Sequence, residues 1–136
     1  MNRAVLVADE NVNAQIIAET LLRLRGLHVH LAGDGAEACD IVRREDIAVI
    51  VLDLDLPGMN GFEFLRRLRG RFGSLSLPTK PRTKPRILAV TDHQEPEVAR
   101  FALRLGADAI LRKPLAPGLF IETVEELIGS TAPQAE

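Results

Sequence analysis

The stretch Ala48-Val49-Ile50-Val51-Leu52-Asp53-Leu54-Asp55-Leu56-Pro57-Gly58 decides the reading of this chain. Five apolar residues in a row, three of them β-branched, fit a buried strand, and the run ends on a carboxylate followed by a Pro-Gly turn. An unbroken apolar run, rather than an alternating one, belongs to a parallel sheet covered on both faces. In open parallel sheets, ligands and chemistry lie just beyond the carboxyl ends of the strands. Asp53 stands at such an end, so the function depends on which residues share its rim.

On the N-terminal side, Ala4 to Ala8 is a short apolar strand stopping at Asp9-Glu10. The polar run Asp9 to Asn13 offers helix caps, Ile17, Leu21 and Leu24 supply an apolar face, and Gly26 supplies a stop. Leu27 to Leu31 alternates apolar and polar residues, as a half-exposed strand near a sheet edge does, and Gly33-Asp34-Gly35 leads into a helix over roughly 36–44. After the central strand, Asn60 and Glu63 have the spacing of a capping box and open a helix through about Leu68.

Residues 70–86 interrupt this rhythm with Gly70, Gly73, Pro78, Pro81 and Pro85, and the triplet Lys-Pro-Arg occurs twice, so an exposed loop is expected. Ile87 to Val90 then reads as a strand ending at Thr91. Pro96 opens a helix with Val98, Phe101, Ala102 and Leu105 on its apolar face. Ala107 to Arg112 reads as the last strand, followed by Lys113-Pro114. A final helix packs through Phe120, Ile121, Val124, Leu127 and Ile128 and ends at Gly129, leaving 130–136 as a frayed tail. Strict alternation of strand and helix argues for an α/β, doubly wound parallel sheet, and right-handed crossovers place helices on both faces. The expected organisation is one domain over 1–129 with a basic, proline-rich loop at 70–86.

Composition narrows the function classes. The 136 residues are 46% apolar but only 4% aromatic, which implies an aliphatic core in a single domain. A net charge of −2 gives no general attraction to nucleic acid or anionic membrane. One cysteine, Cys39, excludes an internal disulfide and fits a reducing compartment, and the start of the chain has no signal-peptide pattern. No segment approaches the roughly 18 apolar residues of a membrane span, so a cytoplasmic location is expected.

Strand polarity brings Asp9, Glu10, Asp53, Thr91 and Lys113 to one rim. A charged residue at a strand end has an ordinary explanation in solvation; five polar groups converging on one spot do not. The pieces Leu6-Val7-Ala8-Asp9-Glu10-Asn11, Leu52 to Gly61, Ala89-Val90-Thr91, Gly106-Ala107-Asp108 and Lys113-Pro114, taken together at these spacings, resemble a response-regulator receiver domain from Ala4 to about Ile128. The resemblance is to the chemotaxis-receiver type used in two-component signalling. It implies a flavodoxin-like five-stranded sheet of order 2-1-3-4-5.

The resemblance also implies roles for the rim. Asp53 is the phosphoacceptor, taking a phosphoryl group from a phosphohistidine on a sensor histidine kinase or a histidine phosphotransfer protein. Asp9, Glu10, Asp53 and the backbone carbonyl of Asp55 hold Mg²⁺, whose charge offsets the repulsion between a carboxylate and a phosphoryl group. Thr91 donates its hydroxyl to a phosphoryl oxygen, and Lys113 places a positive charge on another. Asp55 and His93, two residues after the acceptor and the threonine, tune attack by water. Such a protein is a signalling phosphoacceptor rather than a turnover enzyme, it acts on a downstream protein target, and a homodimer stays open.

Some positions depart from the family pattern. Glu10 stands where an aspartate is usual, Asp92 where a small residue is common, and Ile110 where a Tyr or Phe is frequent. They bear on rate, lifetime and signal transmission, and they keep a phosphorylation-independent interaction module as an alternative. A haloacid-dehalogenase-type phosphatase is a second rival, because Asp53-Leu54-Asp55 mimics its Asp-x-Asp motif. That family, however, carries the motif on its first strand, with further acids downstream. His28 and His30 read as solvated edge residues, and Cys39 as helix packing. Between Phe64 and Thr91 lie Arg66, Arg67, Arg69, Arg71, Lys80, Arg82, Lys84 and Arg86 with no interleaved aromatic but Phe72, which favours a solvated loop over a nucleic-acid surface.

Overall fold

Val49–Asp53 forms the central strand β3, and every one of its residues is buried. The computed structural model of the protein describes residues 2–69 and 84–130. Before β3 come β1 (Ala4–Ala8), α1 (Val12–Arg23), β2 (His28–Ala32) and α2 (Gly35–Arg44). After it come α3 (Gly61–Arg69), β4 (Arg86–Thr91), α4 (Pro96–Arg104), β5 (Ala109–Arg112) and α5 (Pro117–Ser130). The five strands are all parallel in the order β2-β1-β3-β4-β5, as the sequence pattern and the resemblance imply.

Side chains alternate across this sheet, and the alternation builds two cores. Leu6, Ile50, Leu52, Ile87 and Ala89 pack on one face against Ala38, Cys39, Ile41 and Val42 of α2, Phe64 and Leu65 of α3 and Ala102 of α4. Val5, Val7, Val49, Val51, Leu88 and Val90 pack on the other against Ala18 and Leu22 of α1 and Phe120, Val124 and Ile128 of α5. Continuing the period by one step carries Asp9, Asp53 and Lys113 onto the α1/α5 side of the rim. Thr91 and Arg112 fall on the α4 side. The period-2 geometry of buried strands therefore selects which rim residues can meet.

Several boundaries follow local chemistry. Asn11 caps α1 by accepting from Ala14 N–H at 3.0 Å, and Asn60 accepts from Glu63 N–H at 3.0 Å at the start of α3. Gly58 turns the chain after β3 at φ 78°. Gly61 is required by close approach, because a Cβ there would lie 2.7 Å from Leu54 Cα.

Two expectations need correction. The buried face of α1 is Ala18 and Leu22, whereas Ile17 is 60% and Leu24 77% exposed. Choosing the face by the largest side chains passed over Ala18, whose small size lets the helix lie close to the sheet; Leu24 is already the C-cap. Arg86 belongs to β4, paired with Val49, and not to the loop, since no proline follows Pro85 to prevent strand pairing. Lys84 and Pro85 lie outside any helix or strand, as expected of the loop, while 70–83 and the tail 131–136 lie outside the described residues, and α5 runs one residue past the expected stop. Cys39 is buried with Sγ 3.9 Å from Met59 Sδ, and burial pushes its thiol up, in keeping with a packing role.

Candidate functional site: the carboxylate rim of the sheet

Asp9 and Asp53 follow the same local rule. Each turns back on its own backbone, Asp9 Oδ1 accepting from Asn11 N–H at 2.8 Å and Asp53 Oδ1 accepting from Asp55 N–H at 2.9 Å. This Asx geometry follows from an aspartate at a strand end, and it leaves the second oxygen of each carboxylate pointing away from its own chain. Both second oxygens converge on one cation: Lys113 Nζ donates to Asp9 Oδ2 and to Asp53 Oδ2, 3.1 Å each. Gln15 Nε2 donates to the Asp9 carbonyl at 2.6 Å and secures the end of β1. The Lys113–Pro114 peptide bond is cis.

Asp9 and Asp53 are each 8% exposed, so the pair sits out of bulk solvent. Burial raises the Asp53 carboxyl above its ordinary range; the Asp55 N–H and the Lys113 ammonium pull it back in part, and the Asp9 charge adds to the rise. For Lys113, burial alone would lower the ammonium, but the Asp9 hydrogen bond and the charge and hydrogen bond of Asp53 together lift it above its ordinary value. The site thus holds two carboxylates on one lysine, and it is the burial of Asp53, more than the Asp9 charge, that Lys113 and the Asp55 N–H only partly offset.

Thr91 is 1% exposed and its hydroxyl oxygen accepts from His93 N–H at 3.0 Å. Glu10 is exposed, and among the described residues its side chain makes no hydrogen bond or ion pair. The structure therefore joins Asp9, Asp53 and Lys113 directly, sets Thr91 at the adjoining strand end, and leaves Glu10 at the edge. Asp55 is exposed beside the site, where its Oδ1 lies 3.3 Å from His93 Nε2. The hydrogen bond to Asp55, followed by its charge, raises His93 above its ordinary value. Asp55, Asp92 and His93 also form an exposed group whose ligand atoms lie within 4.8 Å of one another. Their spacing from Asp53 and Thr91 sets Asp55 and His93 near the acceptor, but their contact spans two loops and has no signal in the local sequence.

The donor set suits a hard divalent cation. All the candidate ligands are oxygens, and the ammonium already lodged between Asp9 and Asp53 marks a spot where positive charge is stabilised. Above it opens a groove of about 560 Å³ between α1 and the segment after β5, lined by Ile17, Leu21, Leu115 and Phe120 as well as by Asp9, Asp53 and Lys113.

A family model described as the response regulator receiver domain matches residues 5–125. The chain belongs to the response-regulator receiver-domain family. This receiver is 30% identical to a chemotaxis protein CheY homolog of Campylobacter jejuni over 94% of this chain and 93% of that protein. It is 37% identical to the transcriptional activator protein ExaE of Pseudomonas putida over 80% of this chain, which spans 46% of that relative's length. The receiver domain of a Francisella response regulator superposes with a TM-score of 0.80 at 27% identity, covering 96% of this chain and 99% of that one. A receiver is a signalling domain of two-component systems. Among the described residues no helix is long and apolar enough to cross a membrane.

Proposed function

We propose that Asp53 accepts a phosphoryl group from a phosphohistidine on a sensor histidine kinase or a histidine phosphotransfer protein, and that the modified receiver then changes its affinity for a downstream protein. The observation that carries this reading is the part-buried Asp9–Lys113–Asp53 bridge at the end of β3. In the transfer, a P–O bond to the Asp53 carboxylate forms as the P–N bond to the donor breaks. The donor ring, protonated on its other nitrogen, leaves as neutral imidazole.

The chain's own residues each have a task in that step. Lys113, held within reach of Asp53, sets a positive charge against the incoming phosphoryl oxygens, and the Thr91 hydroxyl donates to another of them. The Asp55 N–H keeps the Asp53 carboxylate in one orientation. Asp9, Glu10, Asp53 and the backbone carbonyl of Asp55 would hold Mg²⁺, which when bound neutralises charge between the acceptor and the phosphoryl group. Val12, Ile16 and Ile17 expose 62%, 51% and 60% of their surface on α1 beside the groove, which supports an apolar docking face for the donor protein.

The test is incubation with acetyl phosphate followed by intact mass. The wild-type chain is expected to gain one acid-labile adduct of about 80 Da with Mg²⁺ and none with a chelator, and Asp53→Asn none in either case. An adduct on Asp53→Asn at the wild-type rate would show that the acceptor lies elsewhere.

A further inference from the structure

The loop between β4 and α4 is held from three directions. His93 N–H donates to Thr91 Oγ1 at 3.0 Å and closes its first turn. The His93 ring meets Asp55 Oδ1 at 3.3 Å on the β3 side. From β5, the Arg112 guanidinium donates through Nε to the His93 carbonyl and through a terminal nitrogen to the Gln94 carbonyl, 3.3 Å each. The two acceptors belong to consecutive peptide units, so the planar fork grips a stretch of backbone, which a point charge cannot do. Among the described residues Arg112 forms no ion pair.

The sheet register explains this reach. Arg112 is the β5 partner of Thr91, and Lys113 N–H donates to the Thr91 carbonyl at 2.7 Å. Two adjacent residues therefore act on opposite sides of the rim: Lys113 on the carboxylates at the α1 side, Arg112 on the loop at the α4 side. Ile110, two residues earlier, packs against the core beneath α4 and is β-branched, so it has few rotamers and no ring to withdraw. Arg112 is exposed, and its two hydrogen bonds, 3.3 Å each, lie just beyond the usual range of about 2.7–3.2 Å, so the fork acts through the pair rather than through either bond alone.

We infer that Arg112 is a positioning residue: its fork sets where the 92–95 loop, and with it the Thr91 hydroxyl and the His93 ring, stands at the rim beside the Asp53 strand end. This inference rests on the phosphoacceptor reading and adds to it the element that links the site to the edge of the sheet.

The experiment compares the wild-type chain, Arg112→Ala, Arg112→Lys and a distant control, Arg44→Ala. Amide shifts of the unmodified proteins are recorded first, since the Gln94 and Glu95 N–H groups share peptide units with the two gripped carbonyls. Decay of the Asp53 adduct is then followed by mass. Arg112→Ala is expected to shift the 94 and 95 amides and to change the decay rate about threefold or more, the usual sensitivity of a site to small misplacements. Arg112→Lys, which keeps the charge and loses the fork, is expected to follow Arg112→Ala, and Arg44→Ala to follow wild type. A wild-type adduct with unaltered amides and decay in Arg112→Ala overturns the positioning role alone. Rescue of both readouts by Arg112→Lys does the same for the fork. Absence of any adduct on the wild-type chain overturns the phosphoacceptor reading, and the positioning role with it.

Discussion

Replacing Asp53 with asparagine is expected to make the protein more stable at neutral pH while abolishing its capacity to be modified. The carboxylate lies 3.1 Å from the Lys113 ammonium, an attraction of about 5 kcal/mol at an effective dielectric of about 20. Asp9 Oδ2 is the same 3.1 Å from that nitrogen, so the two carboxylate oxygens lie within about 6 Å of one another and repel by about 3 kcal/mol on the same scale. Desolvation of a buried carboxylate costs several kcal/mol more. Burial holds the Asp53 carboxyl above its ordinary range in spite of Lys113, so the costs are expected to prevail.

Asparagine keeps an oxygen for the Asp55 N–H and leaves Lys113 paired with Asp9, so a gain of about 1–2 kcal/mol is expected. For a domain of this size that corresponds to about 3–8 °C in Tm. Because the folded-state value lies above the unfolded one, the wild-type disadvantage is absent below about pH 4, the unfolded value. It grows as pH rises through the folded value. Thermal melts with a chelator present, at pH 3.5 and pH 7.5, test this directly. A variant that melts lower than wild type at pH 7.5, or a gain that is equal at both pH values, would refute the balance drawn here.

Further outcomes are expected. Gly61→Ala should cost about 1–3 kcal/mol by urea titration, because the new methyl meets Leu54 Cα and the Asp53 carbonyl, both backbone atoms that cannot swing aside; an unshifted midpoint would mean that the turn relaxes freely. The His93 imidazole should titrate above the ordinary value of about 6.5 by NMR, and Asp55→Asn should bring it down; the stabilisation from its charged pairing with Asp55 is present at lower pH and is lost as pH rises through the folded value. Beryllofluoride with Mg²⁺ should perturb amides at 91–97 more than those at 108–112, and larger changes around Ile110 than around Asp92 would make the isoleucine the moving part.

The chain by itself determined the alternation of strand and helix and which polar residues stand at the strand ends. A buried run ending in Asp53, the Asp9-Glu10 pair and Lys113-Pro114 are local signals, because strand polarity and the turn chemistry of aspartate need no knowledge of distant contacts. The parallel alternation and the capping at Asn60 were legible for the same reason, whereas the order β2-β1-β3-β4-β5 was implied by the family resemblance. Tertiary structure alone decided which partners each group takes. The α1 face turned by one residue to let Ala18 approach the sheet, a choice made by the surface it packs on rather than by its own periodicity. Joining Lys113 to two carboxylates needs β1, β3 and β5 in one sheet with their alternation in phase, and the sharing of one nitrogen sets the charge balance that no linear pattern carries. The Asp55–His93 contact joins two loops, and the Arg112 fork joins β5 to a loop, across 38 and 19 residues of chain. Such contacts leave no local signature, because their energy depends on where the fold places side chains that are otherwise ordinary exposed residues.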